Sequence, residues 1–413
     1  MKKEIRIGLF GFGCVGQGLY DVLNESRGIR AEIRKIAVKH ADKPRKLPAH
    51  FFTTDADEIL DDPEINLIVE LINDPDAAFD IVSRALRSGK DVVSANKKMI
   101  AEHLPELYEL QKQYGTSLLY EASSCGSIPI IRTLEEYYDN ELLFGVSGIF
   151  NGSSNYILTK VYQEGSTYEA ALRQAQELGF AETDPTLDVG GFDPLYKLCI
   201  ITAHSYGTFI KPEEVFNFGI QSLAAQDIRY AKEKGCKIKL VCTVRKLNGS
   251  CFTLFVMPQL VRSDDPLFLV DRENNGVVVE AAFSDKQFFQ GKGAGGHPTG
   301  SAVLSDISAS TYEYRYEYKK IAQNEGLEYT RDVNLEVYVS YEREEDLEGL
   351  EFVEVLERYQ GRQSHYVIGT VTLASLYRHK EDLRTRNIFI ALNQPKVTLA
   401  ETQPAEANAV AVS

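Results

Sequence analysis

Three stretches of this 413-residue sequence bring together residue types that could do chemistry. The first, Gly11-Phe12-Gly13-Cys14-Val15-Gly16, follows the apolar run Ile5 to Phe10 and opens a helical run from Gln17 to Leu23. In that setting the first glycine permits a tight turn and the second lets the backbone approach a pyrophosphate. The third lets strand and helix pack closely, while the helix N-terminus faces the anion. The chemistry is dinucleotide binding, with all six residues as cofactor contacts; the alternative is a tight turn alone. Cys14 reads equally as a small buried thiol or a reactive one, and no reaction is assigned to it.

Cofactor choice turns on the end of the second expected strand, Ile33 to Val38, where an acidic side chain would hold the ribose hydroxyls of NAD. Lys39 stands there instead, with Lys43 and Arg45 close behind. That suits a 2′-phosphate and favours NADP. Asp42 on a ribose, in an otherwise solvated basic turn, is the alternative and leaves NAD open.

The second stretch is Ser94-Ala95-Asn96-Lys97, which follows the strand-like Asp91 to Val93. Ligands of a parallel sheet collect outside the carboxyl ends of its strands, so Lys97 is aimed at the cofactor crevice; a surface charge is the plainer reading. The third is Glu182 to Lys197, which sets Glu182, Asp184, Asp188 and Asp193 around turn residues ahead of a largely apolar helix. Asp193 followed by Pro194 reads as an N-cap and first helical residue, placing Lys197 one turn along on the same face. A carboxylate and a lysine so placed fix each other's charge and position. An exposed acidic loop with a capping aspartate is the alternative.

The elements that must position these residues follow from periodicity. From Ile5 to about Tyr120, short apolar runs alternate with amphipathic stretches such as Ala77 to Arg87 and Leu104 to Tyr114. This is the pattern of a doubly wound parallel sheet between helices, a Rossmann-type α/β unit over 1–127. Beyond it, strand-like Leu142 to Phe150, helices at Asn155 to Tyr162 and Tyr168 to Leu178, and strands at Ile238 to Arg245, Phe252 to Leu260 and Gly276 to Phe283 give an α+β unit over 128–298. A helix from Thr299 to Ala322 returns to the first unit within 299–325. A small module at 330–398 reads as β-α-β, with a strand at Leu335 to Tyr341, a helix at Leu347 to Tyr359 and a strand at Ser364 to Ala374. A disordered tail is expected over 399–413.

Composition narrows the classes. A formal charge of -15 argues against a nucleic-acid partner, which needs a basic face. No apolar run reaches the roughly 18 residues that span a bilayer, and the N-terminus carries no export signal, so no membrane partner is expected. Six cysteines without C-x-x-C spacing indicate neither a zinc site nor a disulfide framework, which suits a cytoplasmic protein.

Taken in order, the nucleotide loop, Ser94-Ala95-Asn96-Lys97, Glu121-Ala122-Ser123, Gly148-Ile149-Phe150-Asn151-Gly152-Ser153-Ser154-Asn155-Tyr156-Ile157-Leu158, the acidic segment through Lys197, and Gly293-Ala294-Gly295-Gly296-His297-Pro298-Thr299 resemble the homoserine dehydrogenases. The likeness runs from about Ile5 to Ala322. It implies interconversion of L-homoserine and L-aspartate 4-semialdehyde with NADP or NAD, in the threonine and methionine branch of amino-acid biosynthesis. It implies that Glu182 and Asp193 hold the ammonium region of this small-molecule substrate, that Asp188 shapes the same pocket, that Lys197 passes the proton, and that Lys97, on the substrate and cofactor side of the crevice, shares in orienting the substrate and in proton transfer. Ser94 and Gly295 join Lys97 as cofactor contacts. A monovalent cation such as Na+ is implied on a loop of mostly backbone carbonyls at Glu121, Ser124, Gly126 and Ile128, here less rich in glycine than the family pattern. Asn73-Asp74-Pro75 likewise stands where the family has two glycines. A homodimer through the second unit is also implied.

Two rival readings are weighed against this. A semialdehyde dehydrogenase that forms a thioester needs a nucleophilic cysteine, and Cys125 is the candidate, without a histidine near it in sequence. A non-catalytic dinucleotide sensor has no use for Lys97, Glu182, Asp193 and Lys197. The 330–398 module is compatible with an ACT-like regulatory unit, although Tyr341-Glu342-Arg343-Glu344-Glu345-Asp346 replaces the small-residue loop expected there. Because every chemical motif lies upstream, a chain cut at about Thr330 is expected to stay folded and active.

Overall fold

The computed structural model describes residues 4–40, 42–140, 142–247, 250–324, 326–362 and 364–400. The first part of the chain runs β1 (Ile5–Phe10), α1 (Cys14–Glu25), β2 (Ala31–Ala37), β3 (Phe52–Thr53), α2 (Asp57–Leu60), β4 (Leu67–Glu70), α3 (Pro75–Arg87), β5 (Asp91–Ser94), α4 (Lys97–Tyr114) and β6 (Leu118–Leu119). Its strands form one parallel sheet in the order β3-β2-β1-β4-β5-β6. Helices cover both faces, so β4 and β5 are near-continuous apolar runs. The strand order reverses between β1 and β4, which opens a crevice at their carboxyl ends. Asp74 caps α3 by accepting the Ala77 N–H, with Pro75 at the first helical position.

The chain then forms α5 (Ile130–Arg132), β7 (Leu143–Ile149), α6 (Gly152–Glu164), α7 (Tyr168–Glu177), α8 (Thr186–Val189), α9 (Phe192–Tyr206), β8 (Phe216–Asn217), α10 (Ala225–Glu233), β9 (Cys236–Lys246), β10 (Cys251–Arg262), β11 (Asn274–Ala281) and β12 (Asp285–Lys292). It returns to the first sheet through α11 (Gly296–Ser310). Glycine makes that return possible. A Cβ at Gly18 of α1 would lie 2.1 Å from the Gly296 carbonyl oxygen, and one at Gly300 would lie 2.6 Å from the Leu19 nitrogen.

This return helix is shorter than its periodicity suggests. It ends at Ser310, Glu313 takes a left-handed φ of 60°, and a separate α12 covers Lys319–Gln323. The segment between carries Tyr316 and Tyr318 into a buried aromatic cluster with Tyr120 and His204, contacts a continuous helix could not make.

The last part comprises β13 (Glu328–Tyr329), β14 (Val333–Tyr341), β15 (Phe352–Gln360), β16 (His365–Thr372), α13 (Leu373–Arg378), α14 (Lys380–Thr385) and β17 (Ile388–Leu399). The expected helix at Leu347 to Tyr359 is thus a correction: Glu344–Leu347 is a single 3-10 turn, and β15 pairs antiparallel with β16. Val353, Val355 and Leu356 fit a pleated edge as well as a helix face, and the open edge of β16 decides between them. Strands β12 and β17 were not anticipated. The expected tail begins inside β17, and residues 401–413 lie outside those described.

The module's strands also continue the second sheet, whose order is β12-β11-β7-β9-β10-β17-β14-β16-β15. Phe216, Phe218, Phe255 and Met257 share one buried cluster with Val337, Val339, Leu376 and Ile390. A cut at Thr330 would uncover that core, so the expectation of an independent tail gives way to a shared one.

Candidate active site

The nucleotide loop sits at the end of β1, at the strand reversal. Gly11 has a φ of 94°, and a Cβ there would meet the Leu71 carbonyl oxygen at 2.7 Å; at Gly16 it would meet the Gly11 carbonyl oxygen at 2.5 Å. At Gly13 a Cβ would meet nothing within 4 Å. The first and third glycines therefore serve packing, and the second leaves a cradle over the N-terminus of α1, which fits a dinucleotide phosphate. Phe12, Cys14 and Val15 line this turn, with Cys14 exposed. Lys39 lies exposed just past β2, and Arg45 folds back to donate to the His40 carbonyl while covering the Phe52 ring. Gly295, with a φ of 124°, precedes α11, and a Cβ on the next residue, Gly296, would lie 2.9 Å from the Cys14 carbonyl oxygen.

Glu70, at the end of β4, was not singled out from the sequence. Its buried carboxylate accepts the Ser94 hydroxyl at 2.6 Å and the Ile72 N–H at 2.7 Å. Ser94 is buried in this bond rather than turned into the crevice. Burial lifts the Glu70 carboxyl to about 7 against the pull of these two donors. Asn96 ties the same loops together by donating to the Ile72 carbonyl, and it caps α4 by accepting the Met99 N–H. Lys97 is the first residue of α4.

From there Lys97 reaches across to the second unit, its Nζ 2.6 Å from Asp193 Oδ1. Lys197 approaches the same carboxylate from inside α9, with Nζ 2.8 Å from Asp193 Oδ2 and 2.8 Å from the Phe150 carbonyl oxygen. Asn151 completes the set. Its amide donates to Asp188 Oδ1 at 2.7 Å and Asp193 Oδ2 at 2.9 Å, while its oxygen accepts the Ser154 N–H and caps α6. Sequence reasoning gave Asn151 no role because an asparagine between strand and helix reads first as a cap, which it also is.

Asp193 is not the cap of α9 that its sequence suggests. Gly191, with a φ of 79°, holds that position without a side-chain bond, and Asp193 lies in the first turn with its carboxylate drawn to the two lysines. The spacing to Lys197 holds all the same, because both remain on one helical face.

Burial works against the ionised form of Asp193, but Lys197 and Lys97 outweigh it and hold the carboxyl well below its ordinary range. The adjacent Asp193 charge in turn raises Lys97 against the partial desolvation of its ammonium. Asp188 goes the other way: burial and the neighbouring Asp193 push it up to about 6. Glu182 lies exposed at the entrance, near enough for its charge to act on Lys97. Cys125 is buried, and burial pushes its thiol up to about 12, which removes the thiolate that a thioester mechanism needs.

The loop from Glu121 to Ile128 packs against β12 through Ser127, which donates its N–H to the Lys292 carbonyl. Gly126, at a φ of 61°, is its left-handed residue, and a Cβ there would lie 2.4 Å from the Lys292 carbonyl oxygen. The replaced glycines therefore leave no strained side-chain residue in this loop. The Glu121 carboxylate is occupied, accepting the Ile131 and Arg132 N–H groups at 2.8 Å each. Ser124 Oγ is buried without a hydrogen-bond partner. Among the described residues no group of three or more His, Cys, Asp or Glu side chains is placed to hold a metal ion.

Comparison with known proteins bears on this site directly. A family model described as homoserine dehydrogenase matches residues 129–308, and one for the homoserine dehydrogenase NAD binding domain matches residues 11–121. The chain belongs to the homoserine dehydrogenase family. It is similar to the homoserine dehydrogenase of Synechocystis, with 38% identity over 313 residues that cover 73% of this chain and 72% of the relative. It is also similar to that of Bacillus subtilis, with 37% identity over 316 residues, 74% of this chain and 73% of the relative. Among solved structures, a homoserine dehydrogenase from Thiobacillus denitrificans superposes with a TM-score of 0.81 at 28% identity, over 96% of this chain and 98% of the other. A hyperthermophilic archaeal homoserine dehydrogenase in complex with NADPH superposes with a TM-score of 0.65 at 27% identity, over 76% of this chain and 99% of that one. As a homoserine dehydrogenase family member the chain is an oxidoreductase acting on a CH–OH group, with a nicotinamide dinucleotide as cofactor. No described helix is long and apolar enough to cross a membrane.

Proposed function

We propose that the chain interconverts L-homoserine and L-aspartate 4-semialdehyde at the cluster of Lys97, Asp193, Lys197, Asn151 and Asp188. The observation that carries this reading is the Asp193 carboxylate held between two lysines from different units, 2.6 Å from Lys97 and 2.8 Å from Lys197. Reduction of an aldehyde builds negative charge on its oxygen, and a positioned ammonium stabilises that charge and delivers the proton. Lys197, anchored by Asp193 and the Phe150 carbonyl, is the proton donor in that direction and accepts the proton in reverse. Lys97 orients the substrate from the crevice side. Asp188, Asp193 and the exposed Glu182 form the acidic wall for the substrate ammonium.

The nicotinamide supplies or takes the hydride. Gly11 to Gly16 hold its pyrophosphate, Gly295 stands next to Gly296, which packs on Cys14 of that loop, and Ser94 acts through its bond to Glu70. Lys39 meets a 2′-phosphate, which makes NADP the preferred form. The carbonyls of Glu121, Ser124, Gly126 and Ile128 hold a monovalent cation such as Na+; the orphaned Ser124 hydroxyl supports a polar occupant there. The units at 1–127, 128–298 and 330–398, the last in an ACT-like role, a homodimer through the second unit, and a cytoplasmic location complete the reading.

The test is the absorbance of reduced nicotinamide with L-homoserine and NADP, and with L-homoserine and NAD. Turnover with NADP exceeding that with NAD is expected. A folded protein inactive with both would overturn the reading.

A further inference from the structure

Helices α8 and α9 carry Asp188 and Asp193 and meet at the turn Gly190-Gly191, where the Gly190 N–H donates to the Thr186 carbonyl at 2.9 Å and the Gly191 N–H to the Asp188 carbonyl at 3.3 Å. Helix α9 starts without a side-chain cap, at Gly191 in a left-handed conformation. Two further contacts on this turn come from elsewhere. Asn217 of β8, 2% exposed, donates its amide to the Gly190 carbonyl at 3.0 Å, and the Ile220 N–H donates to the Val189 carbonyl at 2.8 Å.

Asn217 is itself held from the C-terminal module. The guanidinium of Arg384 on α14 donates through Nη2 to both the Asn217 carbonyl, at 3.0 Å, and its side-chain oxygen, at 2.5 Å. The second donation fixes the Asn217 amide so that its nitrogen faces Gly190. Nη1 of Arg384 donates to Glu381 at 2.8 Å, which orients the fork, and the guanidinium lies 5.0 Å from the ring centroid of Phe192, the first residue of α9. One side chain of the C-terminal module thus touches the turn twice: at Gly190 through Asn217, and at Phe192 through its ring. The planar fork meets Asn217 through Nη2, Glu381 through Nη1 and the Phe192 ring with its face at once, a combination that a single ammonium nitrogen matches only in part.

We propose that Arg384 and Asn217 are positioning residues for the turn from Asp188 to Asp193, so that the C-terminal module completes the substrate site of the dehydrogenase. The inference rests on the reading of Asp188, Asp193 and Lys197 as that site. Neither residue meets the reacting atoms. Their effect is transmitted by the turn, where a displacement of about 1 Å costs up to roughly a hundredfold in rate.

The full-length chain is compared with Arg384→Ala, Arg384→Lys, Asn217→Ala and Asn217→Asp by kcat, KM for homoserine, dissociation constant for NADPH and melting temperature. Arg384→Ala and Asn217→Ala are expected to lower kcat/KM for homoserine by about ten- to a hundredfold, with NADPH affinity within about twofold. The double variant should lose far less than the sum of the two single losses, because Arg384 acts largely through Asn217 and only its contact with the Phe192 ring is separate. Arg384→Lys should recover only part of the loss. Asn217→Asp keeps an acceptor for Arg384 and loses the donor to Gly190, so it reports on the turn even where the alanine variant does not fold; its kcat/KM should fall likewise.

Lowered melting temperatures with unchanged kcat/KM for homoserine would overturn the proposal, as would an equal loss of NADPH affinity, which marks a general loosening. Lys197→Ala assayed in parallel separates the two levels. Full turnover there overturns the site reading and this inference with it. A crippled Lys197→Ala beside an unimpaired Arg384→Ala overturns this inference alone.

Discussion

Helix α9 carries a cluster of buried charge at each end, and the two differ in access. At its start, Asp193 and Lys197 are buried, but Lys97 keeps about two fifths of its side-chain surface open to the crevice. At its end, His204 is fully buried, with Nδ1 2.6 Å from Glu135 and Nε2 2.7 Å from the Tyr120 hydroxyl, itself 2.9 Å from that of Tyr318. Both clusters perturb their members. Burial opposes ionised Glu135, yet His204 holds its carboxyl below the ordinary value, and burial raises Tyr120. A perturbed ionisable group by itself therefore does not mark an active site. The sealed cluster joins the residue after β6, α9 and the segment before α12, whereas the open one reaches the surface at Lys97.

The strongest way to break this comparison is Lys197→Ala. Turnover should fall by roughly two to four orders of magnitude with NADPH affinity nearly unchanged, as expected for loss of a general acid-base group. Initial rates and a nicotinamide fluorescence titration measure the two sides; full turnover in the variant would remove the open cluster from the chemistry.

A smaller effect is expected at Asp188, whose carboxyl titrates near 6. Above that pH it is ionised and attracts the substrate ammonium; below, it is neutral and the attraction is lost. The KM for homoserine should therefore rise by about tenfold as pH falls from 7 to 5, the scale of one charged hydrogen bond. In Asp188→Asn the KM should already be high at pH 7 and change little on acidification. A wild-type KM that stays flat over this range would remove Asp188 from substrate binding.

Lys39 belongs to neither cluster and tests the crevice alone. Lys39→Ala should weaken NADP by about tenfold and NAD hardly at all. Equal losses for both would exclude a 2′-phosphate contact.

The smallest kinetic effect is expected where burial is greatest. His204→Ala should leave kcat and KM within about twofold while lowering stability by about 1–3 kcal/mol, because Glu135 and Tyr120 lose a buried partner. Thermal melting beside steady-state rates distinguishes the outcomes. A hundredfold loss of turnover at an unchanged melting temperature would erase the distinction between the two clusters.

Much of the open cluster was legible in the sequence. Asp193 and Lys197 are four residues apart in an evident helix, and no tertiary contact is needed to put them on one face. The nucleotide loop was legible for a similar reason, since turn, strand and helix are contiguous. Asn151 and Glu70 were not. Each has a bland local reading, a helix cap or a strand end, and each gains its task from groups distant in sequence. The strand β15 is not legible in the sequence, because its apolar residues satisfy both periods and only pairing with β16 decides between them.

By itself, then, the sequence determined the parallel α/β unit, the dinucleotide loop and the lysine–aspartate pair of α9, all set by short-range periodicity and by where glycine is required. Only the tertiary structure decided which charges meet. It brought Lys97 to Asp193 from the first unit to the second, sealed His204 away, and carried Arg384 from the last helix to Asn217 and Phe192 beside the turn between Asp188 and Asp193. Those contacts depend on how sheets and helices pack, and their distances in space bear no relation to their separation along the chain.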